Sequence, residues 1–527
     1  MLALHSGHDG AIAYVSDGEL VFSHEAEKDT FDRYSPVTAP LIFEALQVIP
    51  EVPDVIAIGG WHKVVPGFDG GVAGGYLGVE PGRLRPAKLF GHNVLAYSTP
   101  HERAHIFGSV GLSPFDPEGT IAVLVWEGVI GAFYRWQGPR KPIARTPVLD
   151  QPGARYAALY CLADPAFPDK GGIVPNDVAG KLMALAGLAD ARPPEADTAA
   201  VVDSLLRAHS VYPFDKARYR HSVLHNVGVR HPEVCRAARR LTARLFDEFA
   251  SAARRLFPDS PPLAIGGGCG LNCDWNRQWA DSGIFDDVFV PPCTNDSGAA
   301  IGVALDALVQ VGGPCRVTWD VYRGPAFVHD ADPVASGWTP QPFDHGAVSG
   351  AIEGGAIVAW LQGRCEIGPR ALGNRSLLAS ATDPRSRDRL NTIKRREDYR
   401  PIAPVCLASD LARWFDRAEP DPHMLSFRSV LEPERLPAVT HADGTARAQS
   451  VTADSNPALH GLLQAHRSRT GVGVLCNTSL NLSGKGFINR MTDLLQYCKV
   501  VGIDEIVLDD TWYRRSATTG PSRREDR

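Results

Sequence analysis

The segment TPHERAHIFGSVGL, beginning at Thr99, contains His101-Glu102-Arg103-Ala104-His105, an H-E-x-x-H. Two histidines four apart on a helix lie on one face about a turn apart, where two imidazoles can share a metal ion. The same spacing also occurs on surface helices whose histidines are unrelated. Taken as a zinc-protease helix, the pentapeptide needs a third ligand. Gly108 fits a metzincin continuation, but the third-ligand position holds Gly111. The nearest carboxylate at a gluzincin-like distance, Glu127, follows the apolar run IAVLVW and is not in an E-x-x-x-D pattern. A carboxylate can come instead from Asp296, between an apolar strand and a small-residue helix, although helix capping alone would also explain an aspartate there. Two imidazoles and one carboxylate with open positions suit Fe(II) or a similar divalent ion that also binds a phosphate or carbonyl oxygen.

These residues need a scaffold, and the chain is long enough to build one. Its 527 residues predict two to four domains, and 54 basic against 60 acidic residues give a net charge of -6 without long like-charge blocks. That balance points to neither nucleic acid nor a membrane as a partner. The ten cysteines, Cys161 to Cys498, form no C-x-x-C pair. Reduced thiols are expected, and Cys269 and Cys273 read as small packing residues. The N-terminus lacks a charged and apolar leader, and no run of about 18 apolar residues occurs, so a cytoplasmic location is expected. The tail SATTGPSRREDR reads as frayed.

The opening alternates a short apolar strand, Gly7-His8-Asp9-Gly10, the run AIAYV, an Asp17-Gly18 turn and the run ELVFS. A similar order returns as IAVLVW, Glu127-Gly128 and VIGAFYRW, which predicts an internally duplicated α/β domain. PEVCRAARRLTARLFDEFASAARRLF has helical periodicity. PPLAIGGGCGLNCDWNRQW reads as a strand, a glycine-rich turn and a helix. A connector rich in Pro, Asp, Trp and Gly runs from about Val317 to Gly346, with the domain boundary placed near residue 340. The expected domains are therefore 1–340 and 341–527, the second being mixed α/β with a Lys- and Arg-rich pocket.

The second domain carries Gly368-Pro369-Arg370-Ala371-Leu372-Gly373-Asn374-Arg375-Ser376, then Lys394, Arg396-Glu397, Arg400-Pro401 and Ala403-Pro404. Asp443-Gly444-Thr445-Ala446-Arg447-Ala448-Gln449 and Asn477-Thr478-Ser479-Leu480-Asn481 follow. In type and order these resemble the signatures of the nodulation-type O-carbamoyltransferase family. The first domain agrees through His8-Asp9, His101, His105, Gly180-Lys181 with Met183, Gly266-Gly267 with Asn272, and Asp296. The opening GHDGAIA and EAEKDTFDRYS are most similar to the family's cephem hydroxymethyl branch. The resemblance implies an N-terminal duplicated actin-like ATPase domain and a C-terminal threonylcarbamoyl-AMP-synthase-like domain.

The implied reaction is ATP-dependent. Carbamoyl-AMP forms from carbamoyl phosphate and ATP, and its carbamoyl group passes to a hydroxyl of a small acceptor, an antibiotic or other secondary metabolite. Phosphate-rich substrates need fixed cations. Arg370, Arg375, Lys394, Arg396, Arg400 and Arg447 are the candidates, with Asn374, Asn477, Ser479 and Asn481 as polar lining. In the first domain Gly128, Gly266, Gly267 and Asn272 would receive the adenylate, and His101, His105 and Asp296 would hold the metal. Fe(II) is expected there, with Mg an option at the synthetase site. His8, Asp9, Glu127 and Lys181 are the catalytic candidates, His8 as the base that takes the acceptor proton. Partners are thus carbamoyl phosphate, ATP and an alcohol, with a homodimer open.

Three positions depart from the family's pattern: Glu127 stands where an aspartate is usual, Glu102 where a second histidine is commoner, and Ala179 where many relatives are acidic. Glu102 is expected to line the outer shell or face solvent. The competing readings are a non-catalytic actin-like nucleotide-binding protein and the metalloprotease.

Overall fold

Asp17 and Gly18 both have positive φ, 51° and 77°, the backbone a tight primed hairpin demands. That turn joins the second and third strands of the first sheet in a computed structural model describing residues 1–30, 32–60, 74–481 and 485–515. The SATTGPSRREDR tail lies outside the described residues. The strands are β1 (Leu2–His5), β2 (Ala11–Ser16), β3 (Glu19–Glu25), β4 (Val55–Gly59), β5 (Arg85–Leu89) and β6 (His92–Thr99). They lie in the order β3-β2-β1-β4-β6-β5. β1–β2 and β2–β3 are antiparallel, whereas β1–β4 and β4–β6 are parallel.

The second sheet repeats this plan. It comprises β7 (Ile121–Trp126), β8 (Gly131–Trp136), β9 (Ala144–Pro147), β10 (Leu263–Gly266) and β11 (Val288–Phe289), ordered β11-β10-β7-β8-β9. Again the meander β7-β8-β9 is antiparallel and β7–β10–β11 is parallel. Over the five strands the two sheets share, equal order with equal directions establishes the duplication, and the arrangement is the actin-like ATPase fold. β7 reads as an unbroken apolar run because both its faces are covered. Ala122, Leu124 and Trp126 join one core, while Ile121, Val123 and Val125 join the other. The second core also takes residues of β1, β2 and the helix Ala299–Gln310, which cements the two halves together.

A third, eight-stranded sheet follows. Its strands are β12 (Trp338–Pro342), β13 (Val358–Leu361), β14 (Arg375–Ser380), β15 (Ala403–Leu407), β18 (Gln449–Val451), β19 (Val474–Ser479), β20 (Glu505–Leu508) and β21 (Thr511–Arg515). β16 (Arg428–Ser429) and β17 (Thr445–Ala446) form a separate ribbon. The order β12-β21-β20-β13-β14-β19-β15-β18 mixes parallel and antiparallel pairs. GAIVAWLQG thus supplies a strand, β13. Among the described residues no helix is long and apolar enough to cross a membrane.

Polar contacts tie this sheet to the first half. Lys28 is buried, pairs with Glu25 at 3.0 Å, and donates to the Gly368 carbonyl at 3.1 Å; the Gly368 N–H donates to Glu25 at 2.5 Å. The loop that opens the G-P-R-A-L-G-N-R run is therefore anchored on residues just after β3.

Candidate functional site

The duplicated topology aims corresponding turns at one place. The β1–β2 turn carries His8 and Asp9, the β7–β8 turn carries Glu127 and Gly128, and the helix His101–Gly111 begins directly after β6. Asp296 opens the short 3₁₀ turn ahead of the helix Ala299–Gln310. All four follow the carboxyl ends of strands, where open α/β sheets place their ligand sites. The two helices approach closely because residue 302 is glycine: a Cβ there would fall 1.9 Å from the Ala104 carbonyl oxygen.

His101 Nε2 and His105 Nε2 lie 3.1 Å apart. Asp296 Oδ1 is 3.2 Å from His105 and 3.7 Å from His101, and Glu127 Oε2 is 3.2 Å from His101 and 3.3 Å from His105. All four residues are buried, with one ligand atom from each within 4.8 Å of the others. Ligands about 2.1 Å from one ion stand roughly 3.0 Å apart in cis octahedral and 3.4 Å apart in tetrahedral geometry, so the spacings fit a first-row divalent ion. Two buried carboxylates facing two imidazoles also need a cation. Without a metal, protons supply the positive charge. Burial opposes charging His105, yet its bonds to Asp296 and Glu127 raise it to about 10, while Glu127 is held down to about 2 against its own burial by His101 and His105.

Glu127 is thus a fourth potential ligand, which its place after a strand rather than in a helix had hidden. Two neighbours escaped the sequence reading altogether. Tyr76 stacks on His101 with centroids 4.5 Å apart, and its hydroxyl donates to Glu127 Oε1 at 2.7 Å. His5 is buried beside His101, 4.0 Å from Asp296, and burial lowers it to about 3, so it is neutral. Neither carries a spacing signal, since His5 meets the cluster only through the first sheet and Tyr76 only through the segment packed on the start of the histidine helix.

His8 Nδ1 lies 2.9 Å from Asp9 and 3.4 Å from Asp296. Burial opposes its charge, but the Asp9 bond and the Asp296 carboxylate outweigh it and raise His8 to about 9. The base expected here is therefore held protonated in the metal-free protein. Glu102 does not face solvent: it is 1% exposed and is bound by Tyr134, Arg145 and the Gly78 N–H, engaged away from a peptidase role. Lys181 pairs with Asp177 at 2.9 Å and Glu397 at 3.4 Å rather than with the histidine cluster. Asn272 caps the helix Cys273–Asp281, accepting from the Asp274 and Trp275 N–H groups, so its carbonyl oxygen is committed to folding. Gly267 has φ 96° and a Cβ would meet the Trp126 carbonyl at 2.6 Å, whereas a Cβ on Gly128 would meet nothing within 4 Å. Gly128 therefore leaves open space beside Glu127.

In the third sheet the predicted phosphate ligands divide. Arg375 is fully buried and gives its donors to Asn489, Gln362, Asn374 and Gly363 at 2.7–2.9 Å, over the Phe327 ring. Its guanidinium is spent on the fold, which corrects its assignment as a phosphate ligand. Asn374 likewise donates to the Arg364 carbonyl and accepts from Asn456. Asn477 donates to Ala371 and Gln449. Lys394 is held by Ser479 and Asn481, so those two orient a cation.

The remaining cations crowd together. Burial and then Arg447 push Arg370 down to about 9, burial and then Arg400 push Arg396 down to about 9, and burial with Arg396 lowers Lys394. The Nε atoms of Arg370 and Arg447 are buried with no hydrogen-bond partner. Arg400 has Glu397 at 3.7 Å. Arg33, from the segment after β3, adds its charge to those felt by Arg370, Lys394 and Asp9, so both the cation cluster and the β1–β2 turn feel it. Sequence reading passed over Arg33 because it stands alone among acidic residues.

A buried two-histidine, two-carboxylate centre in a duplicated actin-like fold, with crowded cations in an adjoining sheet, is the arrangement of a group-transfer enzyme. Family models agree: carbamoyltransferase N-terminus matches residues 79–305 and carbamoyltransferase C-terminus residues 349–515. The chain belongs to the carbamoyltransferase family and is an O-carbamoyltransferase. It is 50% identical to the 3'-hydroxymethylcephem-O-carbamoyltransferase of Amycolatopsis lactamdurans over 98% of this chain and 99% of that protein. It is equally 50% identical to the protein of that name from Streptomyces clavuligerus, with the same coverage. Nodulation protein U of Sinorhizobium fredii is 33% identical over 97% of this chain and 98% of its own.

Proposed function

We propose that the protein carbamoylates the 3'-hydroxymethyl group of a cephem in two steps at two sites, residues 1–340 forming the transfer domain and residues 341–527 the carbamoyl-adenylate-forming domain. In the first step carbamoyl phosphate and ATP yield carbamoyl-AMP with release of pyrophosphate and phosphate, and balance requires one water. Arg370, Arg396, Arg400, Arg447 and Lys394 bind the polyanions. The observation that carries this reading is the crowding of those cations. Arg370 and Arg396 are each depressed to about 9 by burial and by fellow cations, opposed only in part by Cys273 beside Arg370 and Glu397 beside Arg396. Such a pocket gains most from a ligand with several negative charges.

In the second step the acceptor hydroxyl attacks the carbamoyl carbon and AMP leaves. His101, His105, Asp296 and Glu127 would hold a divalent metal, Fe(II) by the mixed imidazole and carboxylate donor set, and such an ion supplies Lewis acidity toward phosphate or carbonyl oxygens. Gly128 leaves room for the adenylate beside Glu127. With Asp296 committed as a ligand, His8 keeps Asp9 as its partner and is freer to take the hydroxyl proton. Asp9 orients the His8 ring through Nδ1. Arg33 balances the phosphate charge of carbamoyl-AMP between the two clusters. The printed names of the two 50%-identical relatives support the cephem as acceptor.

The test is pyrophosphate release from ATP by metal-replete protein. It should require carbamoyl phosphate, persist in His101→Ala and vanish in Arg370→Ala. Equal loss in both variants would refute the division into two sites.

A further inference from the structure

The residue that gives the histidine helix its protease-like spelling is buried and engaged by three donors. Glu102 Oε2 accepts from the Gly78 N–H at 2.8 Å, and Oε1 accepts from Arg145 Nε at 2.5 Å and from the Tyr134 hydroxyl. The helix starts at Pro100 without a side-chain cap, so its first N–H groups need other acceptors. They find them in the same stretch of chain: His101 N–H donates to the Gly75 carbonyl at 3.1 Å and Glu102 N–H to the Tyr76 carbonyl at 3.0 Å. Arg103 adds a bond to the Val79 carbonyl. The segment 75–79 is thus strapped across the helix start, its carbonyls on the helix and the Gly78 N–H on Glu102. The strap carries Tyr76, whose ring lies on His101 and whose hydroxyl occupies Oε1 of Glu127. Only Oε2 of Glu127 then faces the two histidine nitrogens, at 3.2 and 3.3 Å.

From this geometry we propose that Glu102 and Tyr76 form a clamp that sets how Glu127 meets the metal. Glu102 fixes the strap, and Tyr76 holds Glu127 to a single metal-facing oxygen while fixing the plane of the His101 ring. Both are positioning residues, and the proposal rests on the metal reading given above. Groups that orient metal ligands typically change affinity by about 10- to 100-fold when removed. Glu102→Gln keeps the size of the side chain but cannot accept from a backbone N–H, a phenol and a guanidinium at once. Tyr76→Phe keeps the stacked ring and frees Oε1 of Glu127.

The experiment is a Co(II) titration of metal-stripped full-length protein against a competing chelator, read through the visible absorption band of the bound ion. Wild type is expected to bind one Co(II). Glu102→Gln and Tyr76→Phe should each change its affinity by about tenfold or more and shift the band. The double variant should match Tyr76→Phe, because Glu102 acts through Tyr76. Additive effects in the double variant, or an affinity and band unchanged in both single variants, would overturn the clamp. Should Glu102→Gln not fold, Tyr76→Phe decides alone: an unaltered band overturns the proposal. A wild type that takes no Co(II) would sink the metal reading itself, and the clamp with it.

Discussion

Replacing Arg370 by methionine should make the ligand-free protein more stable while abolishing its first half-reaction. Arg370 is pushed down to about 9 from an ordinary value of 12.5, first by burial and then by Arg447. Each tenfold change in proton affinity corresponds to about 1.4 kcal/mol, so keeping this guanidinium charged at neutral pH costs the fold on the order of 5 kcal/mol. Its one direct hydrogen bond, to the Leu271 carbonyl at 3.1 Å, recovers about 1 kcal/mol of that. Methionine retains the apolar stem, so the net expectation is a gain of up to about 4 kcal/mol and a melting midpoint higher by a few degrees. Scanning calorimetry without ligands should show this rise. In the presence of ATP and carbamoyl phosphate the wild-type midpoint should climb, because ligand binding to the native state adds stability, whereas the Arg370→Met midpoint should not move. An Arg370→Met protein that melts lower than wild type, or one that still releases pyrophosphate, would refute the idea that these cations are crowded in order to bind a polyanion.

Arg375→Ala should behave oppositely. It removes a guanidinium spent on the protein's own oxygens, so stability should fall by at least about 3 kcal/mol in denaturant titration, and a stable variant altered only in KM would contradict the structural role assigned to it. Gly302→Ala should weaken Co(II) binding without touching a ligand. A methyl 1.9 Å from the Ala104 carbonyl must part the two helices that bring Asp296 to the histidines, at about 1–3 kcal/mol of overpacking, and unchanged affinity would count against that close approach. Acid should destabilise the protein through four histidines, one buried and three half-buried. His24, His423, His441 and His466 are lowered to about 4, chiefly by burial. Between about pH 6.5 and 4 the unfolded chain therefore binds the extra protons, and stability falls as pH falls through that window, by up to about 2 kcal/mol per histidine at pH 5. His466→Asn should flatten the loss measurably, and an identical pH profile would contradict the assignment for that residue.

Much of this was legible before any coordinates. The paired runs around His8-Asp9 and Glu127-Gly128 foretold the duplicated sheet because strand alternation and turn residues are local signals. The His101/His105 pair was equally plain, since helical spacing alone puts both rings on one face. Other features depend on chain segments far apart. Asp296 meets His105 only because Gly302 lets two helices touch, and Tyr76 reaches Glu127 only because Glu102 straps its segment down. Motif membership also overstated some roles. Arg375 and Asn374 sit in the same run as Arg370, yet the turn into β14 folds them inward to satisfy backbone carbonyls, and nothing in their spacing separates a cation that binds ligand from one that builds the loop. Burial decides between them, and burial is a property of the whole fold.

On the proposed route one chain both makes carbamoyl-AMP and delivers its carbamoyl group to a cephem hydroxymethyl. Incubating metal-replete protein with carbamoyl phosphate, ATP and a 3'-hydroxymethyl cephem, then weighing the cephem by mass spectrometry, tests it most directly. The expected product is heavier by one carbamoyl group, requires both ATP and carbamoyl phosphate, and disappears in His105→Ala. An unchanged cephem alongside continued pyrophosphate release would contradict the acceptor, and a carbamoylated cephem formed without ATP would contradict the adenylate route.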